Sequence, residues 1–263
     1  TAWITGLYQS HGCCDLEEAM SLRTPAGGVR DSSFHRVGCG GNELVNLVAR
    51  GRFAAYTKAI WTTSFCPGNP TTGTDSVTGG DVRTLRLPTG QPQALPGSPP
   101  ARFVGLSRTR VALVPYDLTT SVVNSYPPSL PVIQVWGLRG RAPQRAIAET
   151  GTILAMAMSG DQIAVLVQAG SGVRRIDRFS ASTGAGKGST PVGSATAATL
   201  AIYYRWTVYV AGNTVKAINT DNGSIHRIAI SGARPRQVLA ARGEAVWFTT
   251  TGNRSRVLAA PLP

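Results

Sequence analysis

The sequence predicts an all-β protein, a β-propeller of about five four-stranded blades closed by an N-terminal strand. Three observations predict it. A strand–turn–strand unit recurs five times along the chain, a second Gly-containing turn follows each of the first four units, and the inner strand of the unit is apolar on both faces. The chain has 263 residues, 42% of them hydrophobic and 15% charged, with 30 Gly and 17 Pro, enough apolar material for one substantial core. No run approaches the ~18 apolar residues needed to cross a bilayer as a helix, and no basic-then-apolar leader opens the chain. A coiled coil, a membrane helix bundle and a disordered tail are excluded.

The elements are read in chain order as a single domain, 1–263. Residues 1–10 contain the extended stretch AWITGLYQ (2–9), expected to close the ring by supplying the outer strand that the fifth unit lacks. Residues 11–40 form a disulfide-tied insertion. Within it DLEEAMSLR (15–23) reads as a short helix, with Asp15 as cap and Glu18 completing a capping box. Residues 41–263 carry the blade repeats. The first landmark appears as 44–57, 103–115, 154–167, 200–212 and 237–250; aligning Ala54, Ala112, Ala164, Tyr209 and Val246 gives spacings of 58, 52, 45 and 37. The second landmark ends at Gly90, Gly140, Gly184 and Gly223, at spacings of 50, 44 and 39. Gly supplies the positive φ of a hairpin turn, and Asn222-Gly223 is among the strongest such signals. Strands such as RVALVP, QIAVLV and TVYVAG lack alternation, as strands covered on both faces should. Four antiparallel strands per unit, a to d, make a propeller blade.

The stretch TVYVAGNTVKAINTDNGSIHRI (207–228) resembles the repeat of quinoprotein-type, PQQ-like propellers, with a "VYV-G" strand followed by "V-A-D" and "TG" before the outer strand. The repeats around Gly184 and Gly90 fit more loosely. The resemblance implies a fold and no function. Cys13-Cys14-Asp15 is similar to the adjacent-cysteine element of PQQ-dependent alcohol dehydrogenases, but their eight blades, repeated Trp motifs and calcium have no counterpart in five units with five scattered Trp. No cofactor and no metal are expected.

Charge and cysteine bound the setting. Lys+Arg is 26 against 13 Asp+Glu, a formal net charge of +13, and such a surface attracts polyanions. All four cysteines, Cys13, Cys14, Cys39 and Cys66, lie in the first quarter of the chain. Zinc-ligand spacing is absent, so two disulfides in an oxidising compartment are expected, with the pairing open. The localisation expected is secreted or cell envelope.

Strand order sorts the loops onto two faces. One face carries the long connections 64–80 and 117–131, where Tyr116, Asp117 and Tyr126 join Arg102, Arg234 and Arg236 as candidate binding residues. The bland alternative is that Tyr126 merely packs its loop against the prolines there. The opposite face carries turns bearing Arg50, Arg52, Arg108, Arg110, Arg139, Arg141, Arg205 and Arg242, a positive annulus suited to carboxylate, sulfate or phosphate groups, or else simple solubilising decoration.

Catalytic motifs are missing. GAGKGST (184–190) departs from a P-loop, since Gly188 follows Lys187 and Ala181 holds the first Gly position. No GxSxG elbow occurs. His11, His35 and His226 do not suggest a metal set. The sequons at Asn222 and Asn253 matter only in a glycosylating source. The function expected is a non-catalytic binding or scaffolding module for a protein partner or an anionic polymer (envelope polysaccharide or nucleic acid), without a membrane span and open to membership of a larger assembly. The rival is a secreted glycoside hydrolase working with two carboxylates in a central funnel, for which Asp75, Asp81, Asp117 and Glu149 are the acids available.

Overall fold

The computed structural model describes residues 2–11, 14–36, 40–66, 69–120, 122–193, 199–251 and 254–263, and within these only the backbone of 6–11, 14–19, 36, 65–66, 69–73 and 251. Every regular element among the described residues is a strand. The strands form antiparallel sheets of seven, four, four, four and three members, and none of the sheets closes on itself. The chain divides into two compact units, 1–130 with 134–144, and 131–133 with 145–263.

In the first unit a meander runs in order through β1 (Trp3–His11), β2 (Cys14–Arg23), β3 (Val29–Arg36), β4 (Gly40–Arg50), β5 (Phe53–Cys66), β6 (Asn69–Arg86) and β7 (Gln93–Ala94). The second sheet follows with β8 (Ala101–Leu106), β9 (Arg110–Pro115) and β10 (Val132–Gly137), and the boundary between units leaves β11 (Arg145–Ala148) to the second. The second unit continues with β12 (Thr152–Ser159), β13 (Gln162–Gln168), β14 (Arg174–Ser180) and β15 (Gly186–Pro191). Next come β16 (Leu200–Tyr203), β17 (Trp206–Ala211), β18 (Thr214–Asn219) and β19 (Ile225–Ile230), and finally β20 (Pro235–Ala241), β21 (Glu244–Thr251) and β22 (Arg254–Pro261).

The five strand–turn–strand units fall on five antiparallel hairpins: β4–β5, β8–β9, β12–β13, β16–β17 and β20–β21. Their second strands are covered on both faces. Ala54, Ala55, Tyr56 and Thr57 of β5 are fully buried in succession, as are Val111 to Val114 of β9. Each sheet face contributes to a separate apolar cluster: Ala55, Leu113 and Trp136 meet in one, Leu166, Ile176 and Tyr209 in another, Val208, Val215 and Trp247 in a third. The outer strands β15, β19 and β22 are mostly exposed. GAGKGST is the β14–β15 hairpin that the sequence suggests, with Gly184 at φ 77.

Three expectations change. The sheets depart from five four-stranded blades, and the N-terminal strand does not close the fifth. It pairs with β2, from Trp3↔Arg23 to His11↔Cys14, while β20–β22 remains three-stranded. Closing a short local hairpin costs far less chain entropy than joining the two ends of the chain. The 15–23 helix is also absent, because that segment is β2, paired on one side to β1 and on the other to β3. Met20 and Leu22 point into the cluster of Leu44, Tyr56 and Leu85 while Arg23 is exposed. This period-two burial overrides a helix-capping signal whose worth is about 1 kcal/mol. Of the four cysteines expected to form disulfides, Cys13 and Cys39 lie outside the described residues, and only the backbone of Cys14 and Cys66 is described.

Candidate functional site

The connection between β9 and β10 contains the long loop 117–131, and a buried polar node holds it. Strand register assembles that node. His35 on β3 lies opposite Gly41 on β4, which lies opposite Trp61 on β5, so the three share one face of the sheet. Gly41 has φ 134, and a Cβ there would stand 2.1 Å from the Phe34 carbonyl oxygen. With no side chain between them, the His35 imidazole stacks on the Trp61 indole at 4.7 Å and 13°. Thr63 on β5 and Asp75 on β6 are direct cross-strand partners.

The imidazole lies between two carboxylates. Its Nδ1 is 2.8 Å from Glu43 Oε1 and its Nε2 is 2.9 Å from Asp75 Oδ2. A neutral imidazole carries one N–H, so donation to both carboxylates requires the protonated ring. Burial works against that charge, but the hydrogen bonds and negative charges of Glu43 and Asp75 outweigh it and hold the His35 pKa above the usual value. Burial likewise opposes ionisation of Glu43. Hydrogen bonds from His35, Tyr126 and Trp61 prevail and keep its pKa low. Trp61 Nε1 donates to Glu43 Oε2 at 3.0 Å, the Tyr126 hydroxyl donates to the same oxygen, and Thr63 Oγ1 donates to Asp75 Oδ1 at 2.6 Å.

The loop grips this node by backbone and ring. Asn124 N donates to the Asp75 carbonyl at 2.7 Å, and Asp75 N donates to Asn124 Oδ1 at 2.9 Å. Tyr126 meets Trp61 edge-on at 5.0 Å and stacks on Tyr116 at 5.5 Å and 14°. Arg102 Nη1 donates to the Pro127 carbonyl at 2.8 Å. Asp117 Oδ1 and Oδ2 accept from the hydroxyls of Thr119 and Thr120, which bends the start of the loop and lowers the Asp117 pKa. Held in this way, the loop still exposes two large apolar side chains, Leu118 (39% exposed) and Val123 (54% exposed).

Arg102, Tyr116, Asp117 and Tyr126 thus come together around one loop. Tyr126 packs on Trp61 and Tyr116 and anchors the loop to the sheet. Arg234 and Arg236 are exposed at the start of β20 in the second unit. Among the basic-turn residues, Arg50 closes β4, Arg52 follows Gly51 in the β4–β5 turn, Arg108 stands in the β8–β9 turn and Arg110 opens β9. Arg139 and Arg141 follow β10, while Arg205 and Arg242 occupy turns of the second unit. Arg52, Arg108, Arg139, Arg141, Arg205 and Arg242 are exposed.

The four acids considered for hydrolysis are engaged in other contacts. Asp75 belongs to the node, Asp81 pairs with Arg83 at 2.9 Å, Asp117 bends its loop, and Glu149 pairs with Arg175 at 2.8 Å. Sequence reasoning missed His35 as a node residue, together with Glu43, Trp61 and Asn124. His35, Glu43 and Trp61 share only register across β3, β4 and β5, which no spacing along the chain displays, and Asn124 joins them through the loop's contact with Asp75.

No family model matches the chain, and no curated protein matches it. Among solved structures the chain is similar to one titled nidogen/laminin complex, at 10% identity and a TM-score of 0.52, over 100% of this chain and 90% of that one. It is also similar to one titled mitotic checkpoint complex, at 10% identity and a TM-score of 0.54, over 99% of this chain and 74% of that one. Both are β-propeller-type folds. At this identity the likeness is one of fold.

Proposed function

We propose that the protein is a non-catalytic binding module of the propeller type, and that the 117–131 loop is its docking element for a protein partner. One observation carries this reading. The loop is anchored by a buried node at Glu43, His35 and Asp75, yet it turns Leu118 and Val123 outward. A long connection ordered in advance binds at a lower entropic cost than a floppy one, and exposed apolar side chains on a rigid loop are the usual material of a protein contact. The titles of both solved neighbours describe complexes, which agrees with a module that works against a partner. The two carboxylates nearest the loop are locked in ion pairs and hydrogen bonds, so they do not offer the free acid and base that glycoside hydrolysis needs.

The finer reading follows from charge and cysteines. A secreted or envelope-associated chain of +13, with exposed turn arginines, would be drawn to anionic polymers there, which would concentrate the module at its site of action. In the same reading the repeat is of the PQQ-like type without the cofactor, and Cys13, Cys14, Cys39 and Cys66 form two disulfides.

The test uses proximity cross-linking of the folded chain in its native extracellular fraction, beside a Leu118→Asp/Val123→Asp variant and an Ile225→Asp control on exposed β19. Loss of one defined cross-linked partner in the loop variant alone is expected, with thermal stability unchanged. Turnover of a glycoside panel by the wild type, abolished in the Glu43→Gln variant, would overturn the reading.

A further inference from the structure

Alternate turns of a meander fall at the same end of the sheet. The β2–β3, β4–β5 and β6–β7 turns therefore share one end of the first unit, the end away from the His35 node. Between them lies an open groove of about 580 Å³ with Pro25, Leu87 and Pro88 as apolar lining, Arg52 and Arg86 as its charged residues, and Thr89 beside them. The turn geometry keeps it open. Gly51 sits at φ 58, and a Cβ at Gly90 would stand 2.4 Å from the Arg86 carbonyl oxygen, so both turns carry glycine and present bare backbone. The Arg52 backbone helps fix the wall, since its carbonyl accepts from Leu87 N at 2.7 Å. Both guanidinium groups are exposed, and neither has an ionic partner among the described residues.

We propose that this groove binds an acidic peptide segment, with Arg52 and Arg86 each taking a carboxylate and the proline–leucine surface taking the apolar side chains between them. Charge complementarity selects the ligand. Two unpaired arginines match carboxylates in the forked geometry that guanidinium groups favour. The lining contains no Trp, Tyr, Phe or His, so nucleobases have no ring to stack on and sugar faces have no aromatic platform. An extended peptide needs neither. The proposal rests on the reading of the chain as a binding module but uses a different place. From Phe53 to Trp61 along β5 is eight residues, or roughly 26 Å at ~3.3 Å per residue.

The probe is a fluorescein-labelled octapeptide of glutamate and leucine, followed by fluorescence polarisation against the full chain. Saturable binding is expected, weakened about tenfold by Arg86→Gln, as for the removal of a charge-assisted hydrogen bond. Thr89→Trp, which fills the groove and leaves every charge in place, should abolish it, whereas Arg108→Gln should change it less than twofold. Equal effects of Arg86→Gln and Arg108→Gln, or unimpaired binding by Thr89→Trp, would show diffuse charge attraction and overturn the site. Binding of a heparin hexasaccharide with the same variant pattern, and none of the peptide, would overturn the ligand class. The Leu118→Asp/Val123→Asp variant should keep peptide affinity, so loss of the loop reading and loss of the groove are separate results.

Discussion

His35 shows how a single side chain can set the electrostatics of a site that no motif announces. With Nδ1 and Nε2 both facing carboxylates, its proton is part of the fold. Its folded pKa is raised, so its contribution is complete below the ordinary value near 6.5 and is lost as pH rises through the raised folded value. Glu43 has the opposite sign. Its folded pKa is lowered, so its contribution is present above the ordinary carboxylate range and is lost as pH falls through the folded value. The node is thus most stabilising between the two. Tyr116, pushed by burial to about 12, stays neutral throughout. The wild type should lose melting temperature as pH rises above the ordinary histidine value. His35→Gln, which leaves two buried carboxylates without their counter-charge, should cost about 3–5 kcal/mol near pH 6 and lose that slope. Thermal melts from pH 5 to 9 decide it: an unchanged slope in the variant would remove His35 from the account. At this scale the sequence marked Tyr116, Asp117, Tyr126 and Arg102 because a long loop with aromatic rings stands out. It was silent on Glu43 and Trp61, whose meeting depends on a register that only folding sets.

At the scale of the element, the legible strands were those whose environment leaves a compositional trace. A strand covered on both faces must be apolar throughout, so β9, β13 and β17 could be read directly. β2 is paired on both sides, but among its described side chains it is Met20 and Leu22 that meet the core cluster, so it carried an acidic, helix-like sequence that its neighbours pull into extension. The same logic predicts what the N-terminal strand is worth. β1 is an edge strand of the seven-stranded sheet, and among the described side chains at this end of the chain Ala2 and Ile4 pack on the cluster of Leu22 and Leu44. Deleting residues 1–9 should cost about 1–3 kcal/mol, the burial of one large aliphatic side chain, with the rest of the sheet retained. Circular dichroism and a urea melt of the truncated chain would check this. Failure of that chain to fold would mean that β1 supplies far more than an edge, as the ring-closing role expected from sequence would require.

For the whole molecule, the question is whether the excess of positive charge acts as a diffuse field or through particular turns. A net charge of +13 draws any polyanion from a distance, but the attraction fades within roughly 8 Å at physiological salt, after which only arginines that reach the polymer count. Arg52, Arg108 and Arg139 stand exposed on turns of the first unit, while Arg227, Arg254 and Arg256 are exposed along the outer strands β19 and β22. Replacing either trio with Ser removes the same charge. If the turns grip the polymer, the turn trio alone should flatten the dependence of DNA-duplex affinity on salt, by about 0.9 in log–log slope for each phosphate no longer neutralised, and the strand trio should leave the slope as it is. Titrations of a short duplex between 50 and 300 mM NaCl separate the cases. Equal slopes for both trios would reduce the basic turns to solubilising decoration, because a field set by net charge alone does not distinguish where an arginine sits.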